Sequence, residues 1–262
     1  MPNTAKIIQQ VNVAELEQRV KKMYTDVALH PDSEFHFEMG RVMAERLGYP
    51  GADLDRIPDD SIRSFAGVGY HGGLASIAAG QQVVDLGSGS GMDAFIAANQ
   101  VGNTGSVIGI DMTEEQRLKA IRLGNQGGFT NIQFKSAYVE NTGLADASSD
   151  VVITNGVINL AADKDAVFAE AYRILKSGGK LALSDIVTEK ALPENITCDA
   201  TLWAACIGGT LQEASYIQAI KAAGFRVEAV HDNPEYHFIS DGANWATDNY
   251  GVKSISLLAI KP

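Results

Sequence analysis

Cysteine is scarce in this sequence. Cys198 and Cys206 are the only two among 262 residues, too few for a disulfide framework. No run of about 18 apolar residues occurs, so no membrane-spanning helix is expected. Residues 1–10 carry one lysine and no apolar core segment, and do not read as a secretory signal. Positive charge is also short. The 21 Lys and Arg stand against 32 Asp and Glu, a net charge of -11, and no basic cluster interrupts that balance. Phosphate-rich partners would be repelled at long range, which argues against nucleic acid or an anionic membrane as partner. His-x-x-x-His spacing is missing and the acids around Asp146 and Asp150 read as a solvated loop, so no metal is expected. A cytoplasmic location is the simplest expectation.

Apolar residues are plentiful, at 45%, enough for a full core. The length suits one large α/β domain with a modest addition. Residues 1–72 read as that addition, a helical cap. Val13, Leu16, Val20, Met23 and Val27 recur at spacings of three and four, which predicts a helix over 13–28. A second helix is predicted over 35–47, ended by Gly48 and Pro50. From residue 73 to 262 the pattern becomes alternating strand and helix, which implies a doubly wound, mostly parallel sheet covered on both faces. Strands are predicted at 83–86, 106–110, 132–134, 151–153 and 181–186. Helices fall at 93–99, at 113–123 with a capping box from Thr113 to Gln116, and at 163–175. Residues 225–230 and 254–260 read as an antiparallel edge pair.

The sharpest local signal is Val84-Asp85-Leu86-Gly87-Ser88-Gly89-Ser90-Gly91. It follows a strand and opens a helix. Glycines allow the tight turn and the close approach of a ligand, and the helix start offers unpaired N–H groups. Twenty residues after Gly91, Asp111 ends the second strand, where a carboxylate can accept from a ribose diol. Loop and acid together predict a nucleoside-containing ligand. A dinucleotide loop would place glycine where Met92 stands and does not ask for an acid at Asp85.

The pattern D-x-G-x-G-x-G resembles motif I of class I S-adenosylmethionine methyltransferases. Val107-Ile108-Gly109-Ile110-Asp111-Met112-Thr113 is similar to the second-strand signature of the ubiquinone-biosynthesis-type and arsenite methyltransferases. Thr154-Asn155-Gly156-Val157-Ile158-Asn159-Leu160 and Trp203-Ala204-Ala205-Cys206-Ile207-Gly208-Gly209 resemble arsenite-enzyme segments. The resemblance implies a Rossmann-like sheet of seven strands with the last antiparallel, and S-adenosylmethionine as cofactor. It implies that Asp85 holds the amino-acid end of the cofactor and Asp111 the ribose. Gly87, Ser88, Gly89, Gly91, Met112 and Asn155 complete that half. Residues 136–140, Tyr138 and Val139 among them, would pack the adenine.

The resemblance also breaks. Arsenite enzymes hold the soft As(III) centre with thiolates. One of these follows the Ser/Thr-Asn of the fourth-strand segment, where this chain has Gly156. Another lies just before the first strand, where it has Gly67-Val68-Gly69. Of the two cysteines only Cys206 keeps its place. The expected reaction is therefore direct displacement onto a small organic acceptor. Tyr70, His71 and Asn155 are the candidates for catalytic roles, and Gly156 and Cys206 for substrate binding. Histidine could take a proton near neutral pH, and glycine at 156 would widen the pocket by a side chain. A homodimer is compatible with this reading. The alternatives are an arsenite methyltransferase with fewer cysteines, a nicotinamide-dependent oxidoreductase and a non-catalytic cofactor-binding protein.

Overall fold

A computed structural model of the chain describes residues 12–193 and 208–262. Cys198 and Cys206 lie outside the described residues.

Seven strands form one sheet: β1 (Gln82–Leu86), β2 (Ser106–Asp111), β3 (Ile132–Ser136), β4 (Ser149–Asn155), β5 (Leu175–Thr188), β6 (Arg226–Asp232) and β7 (Val252–Ile260). Their order is β3-β2-β1-β4-β5-β7-β6. β1 to β5 run parallel, and β7 is antiparallel to both β5 and β6. The last two strands thus pair as the sequence suggested, but β7 inserts between β5 and β6 and only β6 forms the edge. Val252–Ile260 is too apolar for an edge: Ile255, Leu257 and Ala259 are fully buried.

Strand periodicity sorts neighbouring residues onto opposite faces. Val84, Leu86, Ile110 and Val152 pack with α8 (Lys164–Ile174) and α9 (Glu213–Ala222) on one face. Val83, Val107, Val151 and Ile153 pack with α5 (Gly72–Ala75) and α6 (Met92–Val101) on the other. α7 (Glu114–Gln126) joins β2 to β3. The strand order reverses at β1, between β2 and β4, and the crevice beyond the strand ends at such a point is where ligands bind in open α/β sheets.

The N-terminal region is helical: α1 (Val13–Leu29), α2 (Arg41–Arg46), α3 (Gly51–Leu54) and α4 (Asp59–Arg63). α2 is shorter than the predicted 35–47. Gly40 enters it at φ +86°, a left-handed backbone that no helix accommodates. Phe35 and Phe37 instead stack at 5.6 Å in an irregular segment. Met43, Leu47, Tyr49, Leu54 and Ile57 share one apolar cluster with Met92, Phe95, Ile96 and Leu123. The capping box at Thr113 does not form. Gln116 is buried, with its amide donating to Tyr24 O (3.0 Å) and its carbonyl accepting from Ser90 Oγ (2.5 Å).

Candidate functional site

The loop after β1 is fixed by its neighbours. The N–H groups of Gly87 and Ser88 both donate to Ile110 O on β2, at 2.8 and 2.9 Å. Gly87 sits at φ +72°, and a Cβ there would lie 2.3 Å from Val157. Only glycine lets the segment after β4 come this close. Gly91 caps α6 at φ +95°, with Phe95 and Phe134 against it.

A cavity opens above this loop. Its floor is Asp85, Gly87, Ser88, Gly89, Asp111 and Asn155; Met112, Tyr138 and Val139 form one side. Ser61, Ser64 and Phe65, with Leu16, Val20 and Tyr24 of α1, form the roof. The predicted cofactor residues therefore come together, except that Gly91 acts through the turn without lining the cavity.

Asp111 accepts from Gly89 N (2.9 Å) and Thr113 N (2.8 Å), which hold one carboxylate face against the glycine loop. Burial still raises its pKa above the usual carboxylate range, and those two N–H groups oppose the rise. Asp85 is more exposed to strain of this kind. It is 3% accessible, and its Oδ2 has no hydrogen-bond partner. Burial lifts its pKa well above the ordinary value; Asp93 and Asp111 add to the rise, and an N–H from Ala94 opposes it. An unpaired buried carboxylate oxygen on a residue that lines a cavity asks for a donor or a cation. The ammonium of S-adenosylmethionine meets that need, and the remaining lone pairs of Asp111 suit a ribose diol. The residues present fit the cofactor that the resemblance implied.

The charged residues lining the cavity are Glu17, Asp85, Asp93, Asp111 and Glu140. Among the described residues no Lys, Arg or His lines it. Glu17 is answered by Lys21, outside the lining, at 2.5 Å and by Tyr138 Oη at 2.5 Å, which lower its pKa. Burial raises that of Glu140.

The acceptor-side candidates are placed differently from one another. Asn155 is saturated. Its Oδ1 accepts from Val68 N (2.8 Å), and its Nδ2 donates to Gly69 O (2.9 Å) and Tyr49 Oη (3.0 Å). It ties the 66–69 loop to the end of β4. Tyr70 packs its ring on Tyr49 at 4.6 Å. His71 heads α5 at 2% exposure, with Nδ1 unpartnered. Burial lowers its pKa, against a raising effect of Asp93. Neither Tyr70 nor His71 lines the cavity. Gly156 has φ +69°, and a Cβ there would meet Val68 Cγ1 at 3.3 Å. Val68 already fills the space that the missing side chain was expected to open.

Two residues escaped sequence reasoning. Asp93 lies in the first turn of α6, where an acid reads as an ordinary helix-start charge. Tyr49 sits in the cap. They meet at 2.7 Å, Tyr49 Oη donating to Asp93 Oδ1. Their separation of 44 positions left no local signal; only the D-x-G-x-G-x-G-x-D spacing from Asp85 to Asp93 hinted at a second acid. Among the described residues no group of three His, Cys, Asp or Glu could hold a metal ion, and no helix is long and apolar enough to cross a membrane.

Residues 77–224 match the family described as "Methyltransferase domain". The arsenite methyltransferase of Halobacterium salinarum is 38% identical over 210 residues, covering 78% of this chain and 52% of that protein. The chain thus spans about half the length of the curated relatives it matches. Among solved structures, an arsenic(III) S-adenosylmethionine methyltransferase from Chlamydomonas reinhardtii superposes with a TM-score of 0.62 at 28% identity, covering 86% of this chain and 74% of that one. A geranyl diphosphate methyltransferase, solved with geranyl diphosphate and sinefungin, shares the fold over 95% of this chain (TM-score 0.69, 16% identity).

Proposed function

This chain belongs to the family of S-adenosylmethionine-dependent methyltransferases, and from that premise we propose that it methylates a small, mainly apolar organic acceptor that is uncharged or cationic. The observation that carries this reading is the cavity lining. Its charged groups are all acidic, its roof is mainly apolar and aromatic, and no basic side chain reaches it among the described residues. A carboxylate or phosphate acceptor would meet like charge with no donor to offset it. In the undescribed segments, 1–11 and 194–207, the only basic residue is Lys6.

The cofactor supplies an already activated methyl group on sulfonium. The chain's own residues bind, orient and exclude water. Asp85, the glycine loop and Asp111 hold the cofactor. Asn155 keeps the 66–69 loop on the strand ends, and α1 covers the pocket. A base is needed only for an acceptor that is protonated at working pH; His71 is buried and does not line the cavity, so an acceptor already carrying its lone pair suits this site better. Scarce cysteine and the lack of an apolar spanning helix among the described residues support a cytoplasmic setting.

The test is transfer of labelled methyl from S-adenosylmethionine into a metabolite extract, followed by separation on charge. Label in neutral and cationic fractions is expected. Label confined to anionic products contradicts the reading. A second reading, arsenite methylation, is favoured by the activity named for the relatives. It predicts rapid methylarsenic formation from As(III) and glutathione, abolished in a Cys198→Ser, Cys206→Ser double variant.

A further inference from the structure

Asp85 and Asp93 both line the cavity, and the charge of Asp93 bears on Asp85. Asp85 Oδ2 is buried and unpartnered. Asp93 has one oxygen bonded to Tyr49 at 2.7 Å and the other to Asn155 Nδ2 at only 3.4 Å. A carboxylate offers about four lone-pair positions, so Asp93 can accept further. Two acids lining one buried site disfavour each other's charged form, and a cation beside them relieves that. Among the described residues none lines the cavity. An ammonium group, with three donors in one compact charge, can serve both.

We propose that Asp93 is a second carboxylate for the ammonium of S-adenosylmethionine, beside Asp85, and that Tyr49 of the N-terminal cap is the positioning residue that orients it. The proposal rests on the methyltransferase reading and adds a physical link between cap and cofactor. Tyr49 is buried, edge-on to Phe65 at 5.2 Å, and Phe65 lines the roof of the cavity. Contact therefore runs from the cofactor's amino-acid end through Asp93 and Tyr49 to the wall against which an acceptor packs.

Calorimetric titration with two ligands tests this. S-adenosylhomocysteine carries the ammonium; 5′-methylthioadenosine has the same nucleoside and lacks the amino-acid end. Asp93→Asn should weaken S-adenosylhomocysteine binding by about tenfold to hundredfold, as expected for a lost charge-assisted bond, and methylthioadenosine binding by less than about threefold. Tyr49→Phe should act in the same direction on S-adenosylhomocysteine only, by about three- to tenfold. If both ligands weaken equally, or neither does, the assignment is overturned. Should Asp93→Asn fail to fold, the same ratio measured on Tyr49→Phe decides. Failure of the wild-type protein to bind either ligand would instead sink the methyltransferase reading on which the proposal stands.

Discussion

The floor and the roof of the cavity are built in different ways. The floor is local. Asp85, the glycine loop and Asp111 sit at the ends of adjacent parallel strands and are fixed by backbone N–H groups a few residues or one strand away. The roof is assembled from distant segments. Gln116 holds Tyr24 O across 92 positions, Lys119 Nζ donates to Ala28 O and Ser64 Oγ, and Asn155 holds Val68 across 87. A floor of this kind can keep its ligand while the roof changes with the acceptor. One fold can then serve many acceptors, because the specificity lies in contacts that the strand scaffold does not dictate.

The largest effect should come from removing the roof altogether. A chain starting at Ser61 loses Met43, Leu47, Tyr49, Leu54 and Ile57, all buried against Met92, Phe95 and Leu123. Each large buried side chain contributes about 1.5–3 kcal/mol, and five of them match a whole domain's stability of about 5–15 kcal/mol. The shortened chain should not fold cooperatively. A sharp thermal transition with intact cofactor binding would show that floor and roof are separable.

Replacing Asp111 tests the floor alone. Asp111→Ala should weaken S-adenosylmethionine binding by about tenfold to hundredfold, since a charge-assisted bond is worth roughly 1.5–3 kcal/mol. An unchanged dissociation constant in calorimetry would remove Asp111 from the site. Gly156→Ala sharpens the boundary between the halves. At φ +69° with Val68 at 3.3 Å, a methyl should cost about 1–2 kcal/mol of stability by denaturant titration. Cofactor affinity should stay within a factor of about two. A stability-neutral Ala that alters acceptor turnover would restore Gly156 to the pocket wall.

Much of the floor was legible in the sequence, for the same reason that it is robust. Strand, glycine loop, helix and acid follow one another within 30 residues, and Asp85 and Asp111 stand where that spacing put them. The core strands were legible too, as short apolar runs, because both faces of the sheet are covered and Val83 and Val84 are each buried on opposite faces. The roof was not. Tyr49 and Asp93 carry no local pattern that announces their meeting. Tyr70 and His71 were candidates for the acceptor side, yet Tyr70 packs on Tyr49, His71 is buried, and neither lines the cavity. The Thr113 capping box failed because Gln116 was needed between Ser90 and Tyr24. In each case a long-range contact overrode a local preference.

The central claim is that the floor is an anionic site completed by the cofactor's ammonium. Its pH signature has a definite sign. Burial, Asp93 and Asp111 hold Asp85 well above the carboxylate range in the free protein. A raised folded-state value means that the group favours folding at low pH, and that this contribution is lost as pH rises through the raised value. An ammonium beside Asp85 favours the charged form and pulls the value back down. Between the two values, binding expels a proton. The direct measurement is calorimetric titration of the wild-type protein with S-adenosylmethionine and with 5′-methylthioadenosine, each in two buffers of different ionisation heat at a series of pH values above the ordinary carboxylate range. The account predicts release of up to about one proton with S-adenosylmethionine and none with methylthioadenosine. Equal proton release for the two ligands, or no binding of S-adenosylmethionine, would contradict it.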